Sequence, residues 1–216
     1  MYTGPHIVTD GLVFAVDAGS ERSYPGSGTT TTSLVGSNTG TLTNGVAFST
    51  DNSGTWDFDG IDDYITASRT LSTNNYSAEF VFKADVNTTG TEHWLGSQYP
   101  GTGRVIFDLF TNNKLRNFIN GTAITGATTI ATGTWYHAVF TRDASGNAKI
   151  YLNGTQDATG TISTSAPVND NFEIGGSTTL TRWFNGKIPL CRVYNKTLTV
   201  TEALQNFNAQ KSRFGL

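Results

Sequence analysis

Apolar residues along this chain come in short runs that alternate with polar ones and are broken by glycine, asparagine and serine. The first strong run is LVFAVDA, at 12–18. The same pattern predicts strands at 46–49, 55–58, 63–67, 77–84, 92–97, 104–110, 114–120, 135–142, 148–153, 172–175 and 186–194. Alternation assigns faces, because successive strand side chains point to opposite sides. Phe80 and Phe82 share one face, and Glu79, Val81 and Lys83 the other; Ile150 and Leu152 oppose Lys149, Tyr151 and Asn153. Strands of this kind belong to antiparallel sheets with one side on a core. The stretch 19–40 is rich in Gly, Ser and Thr without a period, and reads as a long surface loop.

Only the C-terminal end departs from this pattern. Thr199 and Glu202 form a Thr-x-x-Glu capping box. Val200, Leu204 and Phe207 follow at i, i+4 and i+7, one predicted apolar stripe of a helix. Many short strands, frequent turns and one late helix predict an all-β jelly roll, a β-sandwich of two antiparallel sheets. No composition break divides the chain, so a single domain is expected over 1–216, with 1–10 and 211–216 as terminal arms.

Charge narrows the function classes. Only 14% of residues are charged, with 14 Lys and Arg against 17 Asp and Glu and a formal net charge of −3. No basic cluster exists to neutralise phosphates, which argues against nucleic acid as a partner. No apolar run reaches the roughly 18 residues of a membrane-spanning helix, and the start lacks the regions of a secretion signal. Cys191, the single cysteine, has no partner for an internal disulfide and reads as a small buried hydrophobe.

Catalytic patterns are weak. Glycoside hydrolysis needs two carboxylates about 5–10 Å apart across the scissile bond. The strand at Glu79 supplies one acid, and the Asp57 and Asp59 pair is cut short by Gly60. His6, His93 and His137 come with no nucleophile-elbow motif, so a Ser-His-Asp enzyme is no better supported. His137, in an alternating strand, is expected to be hydrogen-bonded and not catalytic, and Trp135 and Tyr194 to be large core residues. No enzymatic activity is expected. Sugar sites pair an aromatic platform with hydrogen-bonding side chains, and two neighbourhoods offer this: Trp183 beside Arg182, and Tyr99 in a loop with Arg104.

Three segments, in order, resemble the concanavalin A-like lectin/glucanase superfamily in its laminin-G-like branch. They are WDFDGIDDYI at 56–65, GTWYHAVFTRDASGNAKIYLNGT at 133–155 and FNGKIPLCRVYNKTLTVTEALQNFN at 184–208. The opening GPHIVTDGLVFAVDAGSERSYPG and the ending NFNAQKSRFGL are similar to laminin-G-like proteins of tailed bacteriophages. The resemblance implies a two-sheet concanavalin A-like jelly roll. It also implies a rim site for Ca²⁺, for which Asp59, Asp62 and Asp63 are the candidates; capping of backbone amides in a tight turn is the favoured reading of these acids. No cofactor is required by either reading.

For function, the resemblance implies a virion structural or decoration protein, made in the host cytoplasm and held by phage capsid or tail proteins. The alternative is a carbohydrate-binding adhesion module of a tail fibre, with a host surface glycan as ligand. Where the family's closing strand commonly carries acids, this chain has Pro189 and Leu190. They mark an edge or bulge and an apolar contact. With Tyr2, Phe214 and Leu216 at the ends they are the candidate interface residues, in an expected homotrimer. Phe214 and Leu216 could equally cover the helix end within their own subunit.

Overall fold

The computed structural model describes residues 5–68, 71, 74–87, 91–98, 103–167 and 171–216. Its strands run β1 (Leu12–Asp17), β2 (Thr30–Thr32), β3 (Thr39–Thr43), β4 (Ala47–Ser49), β5 (Thr55–Asp59) and β6 (Tyr64–Ala67). Next come β7 (Tyr76–Ala84), β8 (His93–Gln98), β9 (Val105–Leu109), β10 (Lys114–Ile119), β11 (Thr122–Thr129) and β12 (Trp135–Arg142). The last are β13 (Asn147–Leu152), β14 (Thr155–Thr161), β15 (Phe172–Ile174), β16 (Gly176–Ser177), β17 (Arg182–Trp183) and β18 (Asn185–Tyr194), followed by α1 (Val200–Phe214).

Two large antiparallel sheets stack face to face. The first has the order β14-β13-β12-β7-β18-β5-β4, with β1 also paired to β18. The second has the order β11-β10-β9-β8-β15-β6-β3-β2. The expected β-sandwich with one C-terminal helix is the structure observed. Phe80, Phe82, Phe140 and Ile150 from the first sheet meet Leu95, Phe107, Leu115 and Phe172 from the second in one buried core. The Phe80 ring lies 6.1 Å from Phe107 and 6.5 Å from Phe172, which ties the two layers together. Gly96 makes room for them, since a Cβ there would sit 2.6 Å from the Phe80 ring.

The first sheet is not half-solvated, as the alternation predicted. Its outer face is covered by α1 and by the segment before β1. One outer cluster joins Val8, Val139, Tyr151, Tyr194, Leu198 and Ala203; another joins Val81, Leu190 and Phe214. Tyr194 is therefore buried outside the inter-sheet core, and Trp135 is half-buried on the same outside, with its ring 5.0 Å from Phe214.

Other expectations change in detail. The stretch 19–40 contains β2, whose buried Thr31 is satisfied by the Ser23 carbonyl at 3.0 Å, so a strand forms without an apolar side chain. Strands β11 and β14 are Thr-rich and largely exposed, and carry no apolar period to betray them. The capping box forms as expected: the Glu202 amide donates to Thr199 Oγ1 at 3.3 Å, and the Thr199 amide to Glu202 Oε2 at 2.8 Å. The buried face of α1, however, is Ala203, Asn206 and Phe214, while Val200 and Leu204 are 53% and 43% exposed. Of the predicted apolar stripe, Val200 and Leu204 turn outward, while Phe207 is half-buried with its ring 5.8 Å from that of His137.

Among the described residues, both ends are tied to the domain. The Val8 amide donates to Asn206 Oδ1 at 2.7 Å. Residues 211–214 are the last turn of α1, which closes on Gly215 in the left-handed region.

Candidate functional site

The outer face of the second sheet carries its own cluster of aromatic and charged side chains. Along β8, β9 and β10, alternation sends Leu95, Phe107 and Leu115 into the core and leaves Trp94, Ile106, Asp108, Arg116 and Phe118 on the outside. Register then aligns them across strands: Trp94 opposite Asp108, Asp108 opposite Arg116, and Ile106 opposite Phe118. Trp94 and Ile106 form a buried apolar floor with Phe118 packed beside them.

Arg116 is held at the centre of this face. Its Nε donates to Asp108 Oδ1 at 3.0 Å and its Nη2 to Asp108 Oδ2 at 2.5 Å, a two-pronged pair. Nη2 also lies 3.0 Å from Glu92 Oε1, and Glu92 Oε2 accepts the Trp94 indole N–H at 3.0 Å. The guanidinium sits 4.0 Å from the Phe110 ring centre and 5.3 Å from that of Phe118. Burial lifts the Asp108 carboxyl to about 7 against the downward pull of Arg116.

The chain between β16 and β17 folds over this face. Thr181 adopts a left-handed φ of 51°, and Leu180 and Arg182 form one wall. Arg104, over the Phe118 ring at 5.1 Å, is another. They enclose a groove of about 220 Å³ over Trp94, Ile106 and Phe118. Arg182 donates Nη1 to the Leu180 carbonyl at 3.2 Å, while its Nε is buried without an acceptor.

The structure thus brings together Arg104 and Arg182, which the sequence placed in separate neighbourhoods. Trp183 is half-buried and stacks on Tyr64, with ring centres 5.8 Å apart, outside the groove lining. Tyr99 lies outside the described residues. Trp94, Arg116 and Phe118 were missed. Their signal was present as outward positions in the runs at 92–97 and 114–120, but only cross-strand register makes them neighbours.

The acidic turn between β5 and β6 is built as a cap. Asp59 Oδ1 accepts the Ile61 amide at 2.7 Å, and Asp63 Oδ2 accepts the Asp59 amide at 3.0 Å. Asp59, Asp62 and Asp63 place carboxylate oxygens within 4.8 Å of one another. Asp63 Oδ1 is buried without a hydrogen-bond partner, and burial, with repulsion from Asp59, Asp62 and Asp57, raises its pKa. Two of the three carboxylates already accept backbone amides, as a capping turn requires.

Glu79, with no solvent exposure, accepts Arg192 Nη1 at 2.5 Å, Asn206 Nδ2 at 2.7 Å and a contact from His137 Nε2 at 3.0 Å. His137 is hydrogen-bonded, as expected. Cys191 is a fully buried free thiol, also as expected.

The interface candidates require correction. Leu190 is 0% exposed and Phe214 4%, both packed with Val81 inside the same chain, and Leu216 is half-buried against them. The helix end covers its own sheet. Pro189 is also buried; it lies at the register shift between Lys187 and Leu190 in the pairing of β18 with β7, so it marks a bulge in a central strand. Tyr2 lies outside the described residues.

A family model described as the concanavalin A-like lectin/glucanases superfamily matches residues 58–203. A search of curated proteins finds no match. Among solved structures, domain 4 of AbnA, a GH43 extracellular arabinanase from Geobacillus stearothermophilus in complex with arabinotriose, is similar. Its TM-score is 0.69 at 20% identity, over 91% of this chain and 98% of that chain. The binding domain of Paraclostridial Mosquitocidal Protein 1 gives 0.73 at 15% identity, over 92% of this chain and 52% of that chain. Trypanosoma rangeli sialidase in complex with sialic acid gives 0.72 at 15% identity, over 96% of this chain. The chain spans only 34% of that sialidase. At these identities the likeness is one of fold.

Proposed function

The chain belongs to the concanavalin A-like lectin/glucanases superfamily, and on that premise we propose that it is a non-enzymatic glycan-binding module. The observation that carries the reading is the groove on the second sheet, where the half-buried Phe118 ring lies between the guanidinium groups of Arg104 and Arg182. Aromatic surface with a few convergent hydrogen-bonding groups is what a sugar ring requires. Two neighbours of the same fold support it, one a domain solved with arabinotriose and one called a binding domain. Catalysis is left out of the proposal because Glu79 is sealed beneath α1 and Asp57 is engaged by Lys187.

The likeness of both chain ends to laminin-G-like proteins of tailed phages supports a place on a virion, with capsid or tail proteins as partners. A purely structural decoration protein is the second reading, favoured by the same ends. A glycan array with the intact protein tests the choice. Binding to a defined glycan, weakened by Phe118→Ala or Arg104→Ala at an unchanged fold, is the expected result. No bound glycan on a broad array would leave decoration, and a low-resolution map of the particle would then locate it.

A further inference from the structure

Where α1 begins, a cavity of about 560 Å³ opens between the helix and the outer face of the first sheet. Its floor is a cross-strand row: Thr141 of β12 lies opposite Lys149 of β13, and Lys149 opposite Thr159 of β14. Its wall is the lead into the helix, Leu198, Thr199 and Val200. We propose that this cavity binds a small phosphate monoester, with the phosphate held by Lys149, the Thr141 hydroxyl and the first turn of α1.

Thr141 has no solvent exposure, and its Oγ1 is buried without a hydrogen-bond partner. Such a hydroxyl is costly until a ligand supplies an acceptor. The half-buried Lys149 makes no ion pair with any described residue. The Val200 amide, first of the 15-residue helix, donates to no described residue either, and the helix dipole puts partial positive charge at that end. Asp143 is the one acid of the lining, and its carboxylate is turned to its own loop. It accepts the Ser145 and Asn147 amides, both at 2.9 Å, and Asn147 Nδ2 at 2.8 Å. Glu202, in the first turn, is engaged by Lys196 and by the Thr199 amide. The donors come from β12, β13 and α1, floor and wall, and share no plane. A tetrahedral phosphate presents oxygens in several directions, and lysine meets it as a point charge; a planar carboxylate suits the fork of a guanidinium. The volume is that of a small-molecule site and exceeds a bare phosphate, so an organic group of about one sugar ring goes with it. This site is separate from the groove on the second sheet and does not rest on the glycan reading.

Glucose 6-phosphate, inorganic phosphate, glucuronate and glucose are each titrated into the intact, isotope-labelled protein, and the backbone amide resonances are followed. The expected result is saturable shifts at Thr141, Lys149, Val200 and Thr201 with glucose 6-phosphate, and at the same residues with inorganic phosphate at higher concentration. Glucose should move none of them. Lys149→Gln should weaken glucose 6-phosphate binding at least about tenfold, and Thr141→Val about threefold or more, with melting temperatures measured alongside. Glucuronate binding at these residues more tightly than glucose 6-phosphate overturns the phosphate class. Equal shifts with glucose overturn the anion site. No shift at these residues with either phosphate, or an affinity unchanged in Lys149→Gln, overturns the assignment to this cavity. None of these outcomes bears on the glycan array, whose variants lie on the other sheet.

Discussion

At Glu79 a carboxylate with no solvent exposure is held between β7, β12, β18 and α1 by Arg192, His137 and Asn206. Burial by itself would raise its pKa. The Arg192 guanidinium and the His137 contact outweigh that and bring it down from 4.5 to about 2. The folded protein thus favours the charged form. This contribution is fully present above pH 4.5 and is lost as pH falls from there towards 2, and the shift corresponds to about 3 kcal/mol. Thermal melts between pH 2 and 5 should show a falling melting temperature in the native chain and a flatter profile in Glu79→Gln. Glu79→Ala, which leaves Arg192 buried without its counter-charge, should cost about 3–5 kcal/mol at neutral pH. A cost below about 1 kcal/mol would show that the network does not fasten the helix.

At the scale of elements, α1 works as a strap. Thr199 starts it, and Thr199→Ala should cost about 1 kcal/mol, a fall of about 2–4 °C in melting temperature. Arg213 ends it, with Nη1 2.8 Å from Asp17 Oδ1 and Nε 2.6 Å from the Asn52 carbonyl, and Phe214 packs on the sheet beneath. Deleting residues 211–216 should therefore lower the melt substantially, by at least about 3 kcal/mol from the lost apolar burial alone. An unchanged melt would restore the view of this segment as a free arm. The turn between β5 and β6 is an element of a different kind, closed by its own amide caps. Its melt should be the same in excess chelator as in millimolar Ca²⁺. A rise with Ca²⁺ that Asp63→Asn removes would show the turn to be a cation site.

For the whole molecule, the two sheets have unequal fates. The first is covered outside by α1, and the second by the chain between β16 and β17, which leaves a groove between Arg104 and Arg182. Substitutions there should separate binding from folding. Arg104→Gln with Arg182→Gln should shift the melt by less than about 2 °C, consistent with partly exposed side chains, while glycan binding falls. A large loss of stability instead would mark the groove as structural.

The strands with a clear period were legible in the chain itself, because alternation at 77–84 or 148–153 is a local property that survives into the sheet. So was the helix start, since a capping box is closed by residues three apart. Arg104 and Arg182 were legible only as isolated candidates. The structure decided the rest, and the reason is register. Asp108, Arg116 and Trp94 become one site only when β8, β9 and β10 align. Strands β2, β11 and β14 form through pairing with neighbours more than through any apolar pattern of their own. Glu79 sits where alternation placed it, opposite Phe80, but whether that face meets water or a helix depends on a segment more than a hundred residues away. Local periodicity determines which side of a strand a residue takes; what lies across from it is set by long-range packing.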